Sequence, residues 1–328
     1  MMPLSFLIPE QFITDASYYN AWHHEKEIPL KGREMGTQEC WIYQTWALLK
    51  HAGLHFSLVT EPPEEGILIM HADQSTKFLK DDAPFSEKLF VVNIVADTRP
   101  HPRAHLNIVQ NKAYHYFIPR SLFMPHWSQS HLIMRDPARG LRFENIVFLG
   151  YHDNIAAELL TEEWSDTLRR TLGLYFYLKE AANWHDYSQV DCSIAIRDFS
   201  HQKHFRRPAT KLYNAWQAGI PFIGGNDSAF SSEGHPGKNY FKATSPNQVL
   251  NILKRLKESD SLRMDVVNEG WKSKQIATRD AIFNRWKDLV LEVLPRLATA
   301  WFKKSSSQQS QTKFLRTLAC SLDRYLVN

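Results

Sequence analysis

Residues 207–228, RPATKLYNAWQAGIPFIGGNDS, hold the side chains whose types and spacing best suit chemistry. Lys211 falls in the first turn of a predicted helix. There a cationic side chain, open backbone N–H groups and the positive end of the helix dipole attract phosphate together. Pro208 presets a first-turn dihedral, and Ala209 or Thr210 opens the helix. Leu212, Ala215, Trp216 and Ala218 recur at helical spacing and predict a buried face. Gly219 ends the helix in the left-handed region, and Pro221 stops its continuation. Phe222 and Ile223 predict a short buried strand, after which Gly224-Gly225 lets a backbone approach a ligand closely. Ser228 in the next loop is a candidate phosphate or sugar contact, and equally a turn residue. An ordinary amphipathic helix with a surface lysine matches the same letters, since short motifs recur by chance.

Other candidates lie at strand ends. Arg197 follows predicted strand 192–196, at the carboxyl end where ligands of open α/β sheets bind; pairing with Asp191 or Asp198 is the competing reading. Gly150, directly after predicted strand 143–149, either presents its backbone to a ligand or makes a tight turn. Asn214 offers an amide that can both donate and accept hydrogen bonds. In the turn at 184–188, Tyr187 could stack on a base and His185 could hydrogen-bond to it; a buried aromatic anchor is the alternative. For proton abstraction, strand 66–71 ends in His71-Ala72-Asp73 and strand 89–96 ends at Asp97. Asp97 follows the most apolar strand, so a partly buried, raised-pKa carboxyl is expected, unless it caps a helix or pairs with Arg99. His71 and Asp73 are spaced to act as base and orienter. Asp97 and His71 rank ahead of Asp73 and Glu39. No His or Cys pair has metal-ligand spacing, so no metal site is expected. No G-x-S-x-G, P-loop or G-x-G-x-x-G occurs, which counts against a serine hydrolase, an NTPase and a dinucleotide dehydrogenase.

The elements that must position these residues are legible as strands and helices. The chain has 328 residues and 43% hydrophobic content, enough for two α/β domains. Apolar runs at 3–9, 66–71, 89–96 and 105–110 predict a parallel sheet covered on both faces. A helix opens at Thr37, turns Ile42, Thr45, Trp46 and Leu49 inward, and ends at Gly53. These make a first domain, 1–125. Residues 126–141, rich in Pro, His and Arg, have no period and are expected to be a linker. Strands 143–149, 174–178, 192–196 and 222–223, with helices at 156–170 and 246–257, make a second domain, 142–295. Residues 296–328 hold a low-complexity hinge at 303–312 and a last amphipathic helix at 314–326.

Net charge is +4 with pI ≈ 8.8, which is too mild for a nucleic-acid partner. Basic residues cluster at 99–103, 135–142 and 203–211, which allows peripheral contact with a membrane. Lys303-Lys304 reads as a solvated face. No apolar run approaches the ~18 residues of a membrane span, and no secretory signal is visible. Cys40, Cys192 and Cys320 are far apart and odd in number, consistent with a reducing, cytoplasmic setting.

The order Thr210-Lys211-Leu212, Ala215, Ala218-Gly219, Pro221, then Asn239-Tyr240 and Ser245-Pro246 resembles the nucleotide-sugar half of GT-B glycosyltransferases, fucosyltransferase-type enzymes above all. The resemblance covers about residues 142–256. It implies an α/β fold of two Rossmann-like domains facing a central cleft, with C-terminal helices crossing back. It implies transfer of a sugar from a GDP- or UDP-linked donor to a glycan or lipid-linked acceptor, inverting, with no cofactor and no bound metal. By resemblance Arg197 and Lys211 hold the donor diphosphate. Asn214 stands where many families have a ribose-binding glutamate, and Thr210 where fucosyltransferases have an acidic residue. A nucleotide- or glycan-binding protein without activity, and a GT-B epimerase, are the competing readings. Oligomeric state is left open.

Overall fold

The apolar runs form strands buried on both faces. In a computed structural model that describes residues 2–14, 36–79 and 86–326, β1 (Leu4–Leu7), β2 (Ser57–Val59), β3 (Gly66–His71), β4 (Leu89–Ile94), β5 (Leu106–Val109) and β6 (Ser121–Phe123) make one sheet in the order β2-β1-β3-β4-β5-β6. All its pairings are parallel. Period-two alternation divides its apolar residues between two cores. Ile67, Ile69, Phe90, Val92 and Ile94 share one with Trp41, while Leu68, Met70, Leu89 and Val91 form another.

The second sheet, also parallel, runs β11-β10-β9-β7-β8. Its strands are β7 (Asn145–Leu149), β8 (Tyr175–Lys179), β9 (Cys192–Ala195), β10 (Phe222–Gly224) and β11 (Phe241–Lys242). The predicted helix is Thr210–Ala218, closed by Gly219 at φ 73°. Helix Pro246–Glu258 starts at Ser245, whose side chain accepts from the Gln248 N–H as predicted.

The chain divides into two units at places other than those expected. The second unit runs Ser128–Thr278, and Arg279 onward joins the first. The segment 128–141 is therefore no linker. Ile133 bridges to Asp186, and Arg135 and Arg139 both reach Asp191. Residues 279–295 leave the second unit for a hydrophobic reason: helix Arg279–Asp288 buries Ile282 and Trp286 in the first core, with Trp286 edge-on to Trp41 at 6.3 Å. Helix Leu294–Phe302 adds Leu294, Ala298 and Trp301 to that core. The C-terminal helices thus cross back onto the first unit. The expected hinge at 303–312 is mostly helix, because Ser305 and Gln308 cap each other and start a helix over Ser306–Leu326. The helix expected at 156–170 is a 3₁₀ turn, Ala157–Leu159, followed by helix Glu162–Leu172, with Thr161 as its N-cap. Among the described residues no helix is long and apolar enough to cross a membrane.

Candidate functional site

Neighbouring strands β7 and β9 end beside the first turn of helix Thr210–Ala218. Phe148, Asn154, Arg197, Thr210, Lys211 and Asp227 line a cavity there of ≈ 40 Å³, roughly three waters' worth of space. Lys211 lies across the end of β7, with Nζ 5.5 Å from the Phe148 ring centroid. A Cβ on Gly150 would come within 2.7 Å of Phe148 Cζ and 3.1 Å of Lys211 Nζ. Glycine at 150 is thus what lets the lysine pass the strand end.

Arg197 projects from the end of β9. Its Nη1 donates to Asn154 Oδ1 at 2.6 Å and its Nε to Asp227 Oδ1 at 3.0 Å. Neither acidic partner suggested by its sequence neighbours is used. Asp198 faces Ser200 and His204, and Asp191 is taken by Arg135 and Arg139. Asp227 Oδ2 and Thr210 Oγ1 are buried without a partner. Each such atom costs about 1–3 kcal/mol unless something fills its hydrogen-bonding capacity, so the cavity has unspent polar valence beside two cations. Lys203 extends the cationic edge: its Nζ donates to Asn226 Oδ1 at 3.0 Å. Burial, and then repulsion from Lys203, hold the Lys242 ammonium below its usual pKa.

Five of the expected donor contacts lie outside this lining, Gly150 bordering it beside Phe148 and Lys211. Asn214 is buried on the inner face of its helix, where Oδ1 accepts from the Gln129 N–H at 3.1 Å and the side chain bonds Tyr187. Tyr187 is itself fully buried, the setting of an aromatic anchor, and burial pushes its phenol pKa up. His185 gives its carbonyl to the Ile133 N–H at 2.8 Å. Ser228 opens helix Ser228–Glu233, and its N–H donates to the Lys203 carbonyl at 2.7 Å. The sequence reading missed Asn154, Thr210 and Asp227 as cavity residues. Asp227 carried a signal, following the Gly-Gly strand end by two residues.

In the first unit, His71 ends β3 and is 1% exposed. Its Nδ1 lies 3.2 Å from the Asp73 backbone N and 3.3 Å from Asp73 Oδ2. The two contacts suit opposite states. An unprotonated Nδ1 caps helix Ala72–Phe78, and a protonated one bonds the carboxylate. The hydrogen bond from His71 holds Asp73 below the usual carboxylate range, against the opposing effect of its burial. His71 Nε2 is buried without a partner. Asp97, by contrast, is exposed, and its Oδ1 accepts from Gln110 Nε2 at 2.6 Å; the partly buried setting expected for it is absent, and Ala96 before it sits at φ 48°. Glu39 is buried, with Oε2 accepting from the Gly36 N–H at 2.7 Å. Among the described residues no group of three His, Cys, Asp or Glu side chains is placed to hold a metal ion.

No family model matches the chain, and no curated protein sequence does either. Solved structures do. Sucrose-phosphate synthase from Thermosynechococcus elongatus matches with TM-score 0.60 and 11% identity over 90% of this chain and 100% of that one. HepE from Anabaena, crystallised with UDP-glucose, matches with TM-score 0.52 and 12% identity over 88% of this chain and 99% of that one. TarM of S. aureus, crystallised with UDP, α-GlcNAc-glycerol and fondaparinux, matches with TM-score 0.51 and 10% identity over 69% of this chain. The chain spans about half of TarM, 55% of its length. At such low identity these likenesses show the fold, which is GT-B.

Proposed function

We propose that the chain is a glycosyltransferase that takes a sugar from a nucleotide-diphosphate donor. The observation that carries this reading is the cavity at the ends of β7 and β9. Arg197 and Lys211 converge there on a site with an unfilled carboxylate oxygen and an unfilled hydroxyl. The cations and the first turn of helix Thr210–Ala218 would hold the diphosphate, and Asp227 Oδ2 would accept from a donor hydroxyl. The uridine ligands of HepE and TarM favour UDP over GDP, and a hexose or N-acetylhexosamine over fucose.

In this reading the reaction is a direct displacement with inversion. The acceptor oxygen forms a bond to the anomeric carbon as the bond from that carbon to the diphosphate oxygen breaks. The leaving group departs with the electron pair, and Arg197 and Lys211 stabilise its developing charge. The acceptor proton goes to His71 Nε2, with the Asp73 carboxylate orienting Nδ1–H. Cationic side chains do the work at the diphosphate, so no metal is assigned a step. Acceptors in this reading are glycans or lipid-linked sugars, met by peripheral membrane contact in the second case.

Titration calorimetry with UDP, GDP and their sugars, followed by a transfer assay, tests this. Lys211→Ala should weaken UDP binding by ~1.5–3 kcal/mol, the scale of a charged hydrogen bond. His71→Gln should slow transfer by about 10²–10⁴-fold with donor affinity unchanged. Binding without turnover across several donors and acceptors would favour a non-catalytic binding protein, and sugar interconversion without acceptor an epimerase. Either result would end the transferase reading.

A further inference from the structure

At the amino-terminal edge of the first sheet, away from the edge that carries His71 and Asp97, cations gather that no carboxylate pairs with among the described residues. Arg120 immediately precedes β6, and the C-terminal helices bring in Trp301, Lys304 and Arg316. The guanidinium carbons of Arg120 and Arg316 lie 5.6 and 5.2 Å from the Trp301 ring centroid, and Lys304 Nζ lies 5.5 Å from it. The aromatic face stabilises them in part. Arg316 is 5% exposed and donates through Nη1 to the Ala104 carbonyl at 3.0 Å. Its Nε, and Nη1 of Arg120, are buried without a partner.

The electrostatics agree with the contacts. Burial, then Arg120, pulls the Arg316 guanidinium down to about 10. Burial alone lowers Arg120. Burial and these two arginines lower Lys304. Burial, then Arg316 and Arg120, hold His105 at about 3, so the imidazole beside them stays neutral. Among the described residues no carboxylate pairs with Arg120, Lys304 or Arg316. A charge left in this state is strongly destabilising, and the relief that fits is an anion from outside the chain.

A cavity of ≈ 290 Å³ opens on this cluster, with Arg316, Arg103 and Lys313 in its lining and the exposed Glu87 as its one carboxylate. Ser306 and Gln309, from the first turn of the 21-residue helix Ser306–Leu326, also line it. The positive end of a long helix therefore meets the cation cluster. We propose that this cavity binds a phosphate-class anion, separately from the donor pocket, with Arg316 as its buried cation and Lys313 and Lys304 supporting it. The same helix exposes Phe314, Leu315 and Leu318, so the phosphate belongs either to a lipid headgroup or to a free anion.

The site can be measured in full-length protein carrying Lys211→Ala, which weakens the donor pocket's part of the signal. Inorganic phosphate and pyrophosphate are titrated by calorimetry and by thermal shift. Vesicles of phosphatidylcholine, with and without phosphatidylglycerol, are tested by co-sedimentation. Arg316→Met should abolish the anion-dependent rise in melting temperature. The pair Lys304→Ala and Lys313→Ala, which leaves the buried residue in place, should weaken binding by about ten- to a hundredfold and keeps the test open if Arg316→Met does not fold. Binding confined to anionic vesicles assigns the phosphate to a headgroup; binding of the free anions assigns it to a soluble ligand. Absence of both, or binding that survives both sets of substitutions unchanged, overturns the proposal.

Discussion

Arg197 in the second unit and Arg316 in the first are both guanidinium groups beside an open cavity, yet their surroundings differ in kind. Arg197 has a buried carboxylate, Asp227, and an amide oxygen, Asn154, within hydrogen-bonding distance. Arg316 has one backbone carbonyl, with Arg120 and Lys304 clustered beside the same indole. Deeper in the second unit, Asp191 goes further than Asp227. It accepts from Arg135, Arg139 and the backbone N–H groups of Glu144 and Asn145. The second unit therefore pairs Arg135, Arg139 and Arg197 with carboxylates of its own, whereas among the described residues no carboxylate pairs with Arg120 or Arg316. The difference teaches which charges the fold needs and which wait for a ligand.

The comparison can be broken first by acid. His105 is held at about 3 by its burial and the neighbouring arginines, whereas the unfolded imidazole titrates near 6.5. Between those values the unfolded chain binds the extra proton, so folding weakens as pH falls through that window. The first unit should lose on the order of 4 kcal/mol from pH 6.5 to 3. Asp191 has the opposite character. Burial raises its pKa, but Arg139, the two backbone N–H groups and Arg135 outweigh burial and bring it below normal. Its contribution is present above the ordinary carboxylate pKa and is lost as pH falls below ~4. Hydrogen exchange read separately in the two units at pH 7 and 5 should show the first loosening while the second holds. Equal loosening would mean that His105 is not the group responsible.

A direct break is Asp191→Ala, which strands Arg135 and Arg139. It should cost about 3–5 kcal/mol in chemical denaturation, the scale of an orphaned buried charge. A loss under ~1 kcal/mol would show that solvent already screens the network. The smallest effect sharpens the choice of base. Asp97→Asn touches an exposed carboxylate and should slow transfer by less than about tenfold, against the 10²–10⁴-fold expected of a base. If it matches His71→Gln, the base lies at Asp97.

What could be read from the sequence followed from how local its causes are. Gly219 and Pro221 end a helix wherever they occur, and β3 and β4 announce themselves by unbroken apolar runs. The His71–Asp73 pair was visible for the same reason, two residues at a strand end. The Arg197–Asp227 bond spans 30 residues and Gln129–Asn214 spans 85, so neither has a local trace. The polar run at 303–312 misled because composition suggested a hinge, while the capping pair Ser305–Gln308 and the indole of Trp301 nearby favour helix. Lys304, counted as solvated, turns instead toward that indole.

The return of the chain at Arg279 has a consequence for biogenesis. The described residues of the second unit form one uninterrupted segment, so they can pack together while the ribosome is still adding the tail. The first must wait, its sheet formed from early residues but missing Trp286, Leu294 and Trp301 until the last stretch emerges. A polypeptide cut short near residue 278 would thus spare the later-made half and leave the earlier-made one with an open, water-facing interior, ready for chaperones or for aggregation.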